Sequence, residues 1–166
     1  MASEFCIMST PRKQLLDAAQ RLCNDFASQK SANDLQSHFS STPETETIEY
    51  GEQIFAPFLG RKFLGPKGVH DYFAMLAQFI TYHNMQFSDY IIDTDEMKVV
   101  VKGQARFTWI STEETWDETF HYALSFNNDY KVTKYEIWAD SGAAYLAREG
   151  RLEYVRRHEE ESPRTL

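Results

Sequence analysis

The chain has 166 residues, which is the length of one domain with a single hydrophobic core. Its net charge of −8 opposes binding to the phosphate backbone of nucleic acids, and no run of residues is apolar enough to cross a bilayer. Two cysteines, without CxxC or HExxH spacing, give neither a disulfide framework nor a zinc motif. We therefore expect a cytoplasmic protein with no metal site and no nucleic-acid or membrane partner.

The first third of the sequence predicts two helices and a short strand. Thr10 is a suitable N-cap for a helix that opens with Pro11, and apolar residues then recur along one face. Ser31 and Asp34 have the spacing of a capping box, which predicts a second, short helix. Residues 47–50 alternate in character and predict a strand.

The middle of the chain changes from helical to strand periodicity. Residues 51–68 are rich in Gly, Pro and Phe and predict a loop at the rim of a pocket. A strongly apolar third helix is predicted from about residues 66–68 to Ile80, and it requires a sheet or a partner to pack against. A strand is then predicted from Met85 to near Asp93.

Two long strands and a hairpin follow. Residues 97–110 alternate, with their apolar members on one face, and residues 116–138 form two strands around a turn at Asn128 and Asp129. The last strand stops at Asp140, before a short helix. Helices first and long antiparallel strands afterwards indicate an α+β fold with the helices on one face of a curved sheet.

The chain is divided by composition into three parts. Residues 1–10 are expected to be a loose leader, within which Met8 is an alternative start. Residues 11–147 form the domain, and residues 148–166 form a charged tail or helix. The basic residues of this last part alternate with glutamates, which is typical of a solvated helix face.

The order of these elements resembles the nuclear transport factor two-like superfamily, and within it the SnoaL-like, polyketide cyclase-like proteins. Three patterns carry the resemblance: FLGPKGVHDYF at residues 63–73, the strand meander from residue 85, and KVTKYEIWADSGAAYLA at residues 131–147. The resemblance covers roughly residues 11–147. It implies a cone of helices and bent sheet around an apolar pocket, and a homodimer formed through the outer face of the sheet.

Three residues are candidates for proton transfer, each with a structural alternative. His83 follows the third helix and is either an acid or base inside the cone or a cap of the helix C-terminus. Asp140 is either a base with a raised pKa, as the resemblance to SnoaL-like cyclases implies, or the N-cap of the last helix. Glu136 pairs with Glu118 if both face the same side. Otherwise it is a strand residue that is solvated or forms a salt bridge to Lys134 or Arg106.

The expected ligand is a small apolar metabolite, held by rings and by one carboxylate. Aromatic side chains line most small-molecule sites, and tyrosine and tryptophan also offer hydrogen-bond donors for an oxyanion. The predicted ligand-binding residues are Tyr50, Phe58, Phe73, Trp109, Glu118, Phe120, Tyr122 and Trp138.

One departure from the resemblance bears on mechanism. Steroid-isomerase-like members carry an aspartate just after the first strand, where this chain has Tyr50 and Gly51. The sequence therefore argues against that mechanism.

Three functions stay open. The first is a cofactor-independent isomerase, cyclase or dehydratase that abstracts a proton next to a carbonyl group. The second is a non-catalytic ligand-binding or dimeric interaction module of the same fold. The third is a transport or scaffold protein, for which the sequence marks no partner groove.

Overall fold

The computed structural model describes residues 10–161 of the chain. In chain order the elements are α1 (Pro11–Ala27), α2 (Ala32–Gln36), β1 (Glu46–Tyr50), β2 (Lys62–Leu64), α3 (Gly65–Phe79), β3 (Ile80–Asp93), β4 (Lys98–Trp109), β5 (Thr115–Phe126), β6 (Val132–Trp138), α4 (Ser141–Arg148) and α5 (Leu152–Glu161). The expected leader up to residue 9, with Met8, and residues 162–166 of the charged tail lie outside the described residues.

The two N-terminal helices begin at the caps that the sequence predicts. The Thr10 hydroxyl accepts a hydrogen bond from the Lys13 N–H at 3.3 Å. Ser31 and Asp34 form a complete capping box, in which each side chain accepts from the other residue's backbone N–H at 3.2 Å. These bonds satisfy N–H groups that a helix start leaves without an intrahelical partner.

The strands form a single sheet in the order β2-β1-β6-β5-β4-β3. β1 runs parallel to β6, and the other neighbours are antiparallel. Helices α1 and α3 pack on one face, here called the inner face, and the core lies between them and the sheet. The opposite face is called the outer face. The α+β architecture and the mostly antiparallel sheet are as the sequence predicts.

The third helix and the next strand meet earlier than predicted. Helix α3 starts at Gly65 and ends at Phe79, and β3 starts directly at Ile80 instead of Met85. Ile80 pairs with Trp109 and continues the inner face of β4. This early start follows from strand pairing, which a search for local periodicity does not detect.

Strand β3 is bent by two irregularities. The register with β4 shifts between residues 83 and 86 and again between residues 88 and 91, and Asn84 and Asp89 each have a φ of 55°. Bulges increase the local twist of a strand and curve the sheet. The curvature closes the sheet around α1 and α3.

Within residues 10–161, no helix has the length and apolar character that a membrane crossing needs.

Candidate functional site

A narrow cavity, here called the inner cavity, lies on the inner face of the sheet near the start of α4. Its volume is about 40 Å³. The apolar side chains that line it are Phe26, Phe58, Leu59, Leu76, Ile80, Phe107, Phe120, Ile137, Ala139 and Ala144. The polar or amphipathic ones are Glu49, Tyr72, Trp116, Glu118, Tyr122, Asp140 and Ser141. Three carboxylic acids thus face a small, largely apolar space.

Glu49 is the most deeply buried of these acids, with 7% of its surface exposed. It pairs with Ile137 of β6 and shares the inner face with that residue. The Tyr72 hydroxyl of α3 donates a hydrogen bond to Glu49 Oε2 at 2.7 Å. Burial raises the pKa of Glu49 to about 7, against the effect of the Tyr72 hydrogen bond and with a smaller contribution from the negative charge of Glu118.

Glu118 is held at both carboxylate oxygens. The Trp116 indole N–H donates to Oε2 at 2.6 Å, and the Asp140 backbone N–H donates to Oε1 at 2.6 Å. Burial raises the pKa of Glu118, although these two hydrogen bonds act in the opposite direction. The orientation of this carboxylate is therefore fixed.

Asp140 stands at the N-terminus of α4 and caps it. Its Oδ1 accepts from the backbone N–H groups of Gly142 and Ala143, each at 3.0 Å. The residue also lines the inner cavity beside Glu118. The structure thus shows the capping role that the sequence allowed, with this oxygen already occupied by two donors.

The arrangement favours proton transfer by Glu49. A carboxyl group with a pKa near neutrality is populated in both protonation states at physiological pH, which suits a general base or acid. The apolar rings around it exclude water and strengthen local electrostatic interactions. Among residues 10–161 there is no group of three or more His, Cys, Asp or Glu side chains placed to hold a metal ion.

Comparison with solved structures identifies the fold. A nuclear transport factor two-like protein of unknown function from Burkholderia pseudomallei superimposes with a TM-score of 0.68 and 14% identity, over 81% of this chain and 96% of that one. The BvnE pinacolase from Penicillium brevicompactum gives 0.64 and 16%, over 91% and 98%. A protein from Jannaschia described as a SnoaL-like polyketide cyclase gives 0.66 and 13%, over 84% and 94%.

The chain has the nuclear transport factor two-like fold. The fold that the resemblance implied is therefore confirmed. Identities of this size establish the fold and leave the activity open. No protein-family model matches the chain, and no curated protein sequence matches it.

Five of the predicted site residues line the inner cavity of this nuclear transport factor two-like cone: Phe58, Glu118, Phe120, Tyr122 and Asp140. Three of them, Glu118, Phe120 and Tyr122, lie on the inner face of β5. The alternation of apolar and polar residues along β5 predicts this face, because an alternating strand has one buried face.

Three predicted residues lie on the outer face instead, outside the cavity. The structure places Glu136 with its carboxylate 2.8 Å from the Tyr50 hydroxyl and 3.0 Å from Lys134 Nζ. Burial acts to raise the pKa of Glu136, but the hydrogen bonds from Lys134 and Tyr50 outweigh it and the pKa is lowered. Tyr50 and Trp138 stack there with ring centroids 4.8 Å apart. The prediction of a cavity position is wrong for these three residues, because Tyr135 and Ile137 occupy the inner face of β6.

Two further predicted site residues, His83 and Trp109, do not line the inner cavity. His83 is an exposed residue of β3 that pairs with Arg106, so it neither caps α3 nor faces the cavity. The expectation fails because β3 begins three residues before it. Trp109 is buried against Phe58 and Phe79, on the inner face but away from the cavity lining.

The predicted site residue Phe73 lines a second pocket, here called the outer pocket. The name does not refer to the outer face of the sheet, because the pocket lies among the helices. It has a volume of about 310 Å³ and opens between the C-terminal end of α1, helix α2, helix α3 and the start of β3. It is the larger of the two spaces by volume, and no pattern in the sequence indicates it.

Sequence reasoning missed Glu49, Tyr72 and Trp116. On β1 the apolar residues Ile48 and Tyr50 suggest the buried face, yet the inner face carries Thr47 and Glu49. Hydrophobic alternation therefore points to the wrong side of this strand. The resemblance did not indicate Glu49 either, because the aspartate of the steroid-isomerase-like members falls at Tyr50 and Gly51 of this chain.

Proposed function

We propose that the protein is a cofactor-independent enzyme that moves a proton next to the carbonyl group of a small apolar metabolite, with Glu49 as the base. One observation carries the proposal: a buried carboxyl group with a pKa of about 7 lies 2.7 Å from a tyrosine hydroxyl and faces an apolar cavity. Groups with such shifted pKa values cluster at functional sites.

The chemistry needs one base and one donor. The Glu49 carboxylate takes a proton from the carbon next to the carbonyl group, and the electron pair of that C–H bond forms the C=C bond of an enolate. The negative charge then resides on the former carbonyl oxygen. Tyr122 lines the same cavity, and burial raises the pKa of Tyr122 well above its usual range, so it stays a neutral donor for that oxygen. Return of the proton at another carbon gives an isomer.

Two of the structurally similar proteins bear enzyme names, pinacolase and SnoaL-like polyketide cyclase. Proteins with such names therefore share this fold. The likeness supports an isomerase or cyclase assignment in general terms, while the residues argued to act here come from the geometry of this chain.

The test is exchange of carbon-bound hydrogen for deuterium in D2O, followed by proton NMR, with 2-undecanone and 2-butanone as ketone probes. We expect the native protein to accelerate exchange next to the carbonyl, and Glu49→Gln to lower the rate by roughly 100-fold or more, the usual size of a lost general base. Exchange no faster than in buffer for both ketones would count against the proposal.

A matched control is available on the outer face. Glu136 also accepts a hydrogen bond from a tyrosine hydroxyl, but it lies outside the cavity. Glu136→Gln is therefore expected to leave the exchange rate within a factor of two. An equal loss in Glu136→Gln and Glu49→Gln would show that the rate does not depend on the cavity.

A second candidate function, a dimeric interaction module, is favoured by the stacked pair Tyr50 and Trp138. These rings are 37% and 46% exposed on the outer face, an arrangement suited to contact with a second copy of the chain. Sedimentation velocity tests it: a species of twice the 19.4 kDa chain mass should be lost in Trp138→Lys and kept in Ile54→Lys, a change at an exposed loop residue. A native monomer would exclude the module.

A further inference from the structure

The inner cavity is too small to enclose a metabolite. Its 40 Å³ is far below the roughly 300–1,000 Å³ of ligand pockets. It has room for the reacting end of a ligand and not for a whole metabolite. The rest of any ligand whose carbonyl reaches Glu49 must therefore lie elsewhere.

The outer pocket has the missing space. Its volume of about 310 Å³ falls at the lower end of the range of ligand pockets, roughly 300–1,000 Å³. Its apolar lining residues are Phe26, Ala32, Leu35, Phe73, Ala74, Leu76, Ala77, Ile80 and Tyr82. The polar ones, Gln29, Lys30, Ser31 and Thr81, are exposed and lie at the rim. Such a lining suits hydrocarbon and leaves polar groups only where a ligand would meet solvent.

The two spaces share a partition. Phe26, Leu76 and Ile80 line both the inner cavity and the outer pocket. They approach it from α1, from α3 and from the start of β3, respectively. Movement of this partition would join the two spaces into one.

Only one of these three side chains is free to move. The Phe26 ring stacks on Tyr82 with centroids 4.9 Å apart, and the Tyr82 hydroxyl donates to the Phe26 carbonyl at 2.6 Å. Ile80 is buried, and it is held in the ladder between β3 and β4. Leu76 is half-buried on the surface of α3 and can change rotamer without breaking a hydrogen bond.

We propose that the outer pocket is the binding subsite for the apolar tail of an elongated ketone, and that Leu76 is the gate through which its carbonyl end reaches Glu49. The statement about the carbonyl end rests on the proposed function; the subsite itself does not. The ligand class is a long, unbranched hydrocarbon chain with a carbonyl group at one end.

The test compares a long and a short ketone, 2-undecanone and 2-butanone, by ligand-observed NMR titration of the full chain. Ala77 is an exposed residue of α3 that lines the outer pocket, so Ala77→Phe fills the pocket without entering the core. Its neighbour Gln78 is exposed on the same helix and does not line the pocket, so Gln78→Phe is the matched control.

We expect the native protein to bind 2-undecanone at least tenfold more tightly than 2-butanone. Ala77→Phe should weaken binding of 2-undecanone about tenfold and leave 2-butanone unchanged, while Gln78→Phe should change neither. The subsite is overturned if Ala77→Phe leaves 2-undecanone unaffected, if it weakens both ketones equally, or if the native protein binds the two ketones alike.

The gate is tested by association rates of 2-undecanone, measured by stopped-flow tryptophan fluorescence. Leu76→Ala should increase the rate severalfold, because it removes the most exposed of the three side chains that separate the two spaces. Leu76→Met keeps the side-chain volume, and its association rate with 2-undecanone should stay within a factor of three of the native rate. This variant is the control for a folding defect. An unchanged rate in Leu76→Ala would exclude the gate.

These outcomes separate the two proposals. In the Glu49→Gln variant, normal binding of 2-undecanone together with lost deuterium exchange supports both. Normal binding by the native protein without any exchange would reject the proton-transfer function and keep the subsite. Exchange that continues in Ala77→Phe with unchanged binding would reject the subsite and keep the function.

Discussion

Tyr72 and Glu49 are joined by a hydrogen bond of 2.7 Å in which the phenol donates to the carboxylate, and both side chains are almost fully buried. The bond links helix α3 to the end of β1 across the cone. Burial raises the pKa of both groups, so that at neutral pH Tyr72 stays neutral while Glu49 is poised between its two forms. The following predictions concern this pair and its surroundings.

The charge of Glu49 should cost stability in a pH-dependent way. Its pKa is 4.5 in an unperturbed chain and about 7 in the folded state, so the folded protein binds the proton more tightly. The cost is absent below about pH 4.5, grows as the pH rises towards 7 and is then constant, reaching roughly 3 kcal/mol.

Glu49→Gln removes this ionisation. We expect the free energy of unfolding of Glu49→Gln, relative to that of the native protein, to be larger at pH 8 than at pH 5 by about 2–3 kcal/mol, because the variant lacks the cost of the buried charge. Urea denaturation at the two pH values measures this difference. An equal difference at both values would show that Glu49 is not buried as described.

Replacing Glu118 should lower the pKa of Glu49. The negative charge of Glu118 contributes to the raised pKa of Glu49, and Glu118→Gln removes that charge. We expect the midpoint of Glu49 titration, followed by carbon NMR of its side-chain carboxyl group, to move to lower pH. Glu136→Gln, on the outer face, should leave the midpoint in place, and an upward shift in Glu118→Gln would contradict the electrostatic argument.

Asp140 should act mainly as the N-cap of α4 and not as the base in proton transfer. Asp140→Ala removes the acceptor for the Gly142 and Ala143 N–H groups and is expected to reduce stability by about 1 kcal/mol. Asp140→Asn keeps an acceptor and should keep most of that stability. We also expect Asp140→Asn to catalyse deuterium exchange in the ketone at a rate within a factor of five of the native rate. A loss of rate comparable with that of Glu49→Gln would assign proton transfer to Asp140.

Gly103 should not tolerate a side chain. It pairs with Phe120 across β4 and β5, and a Cβ atom at this position would collide with the Phe120 ring, which lines the inner cavity. Gly103→Ala is expected to destabilise the protein by about 1–3 kcal/mol, the usual cost of overpacking. Gln104→Ala, next to it on the outer face, should change stability by about 0.5 kcal/mol or less. Thermal denaturation distinguishes them.

Much of the fold could be predicted because its signals are local. The caps at Thr10 and Ser31 and the stop at Asp140 depend on side chains that bond to backbone groups two or three residues away. The inner face of β5 follows from strict alternation over a long strand. These features need no knowledge of what packs against them.

The start of β3 and the position of His83 could not be predicted in the same way. The apolar pattern of α3 continues into Ile80, so local periodicity places the boundary too late. The pairing of Ile80 with Trp109 determines where the strand begins. That pairing places His83 opposite Arg106 on the outer face, which removes it from the candidate site.

The sequence by itself determined the α+β class, the helix caps and the side of β5 that carries Glu118 and Phe120, because each depends on residues close together in the chain. Only the tertiary structure decided which face of β1 is inward. That strand is short and pairs in parallel with the distant β6, whose Tyr135 and Ile137 fix the register. The register buries Glu49 and exposes Tyr50, and it thereby places at the cavity the proposed base, which local hydrophobicity would have assigned to solvent.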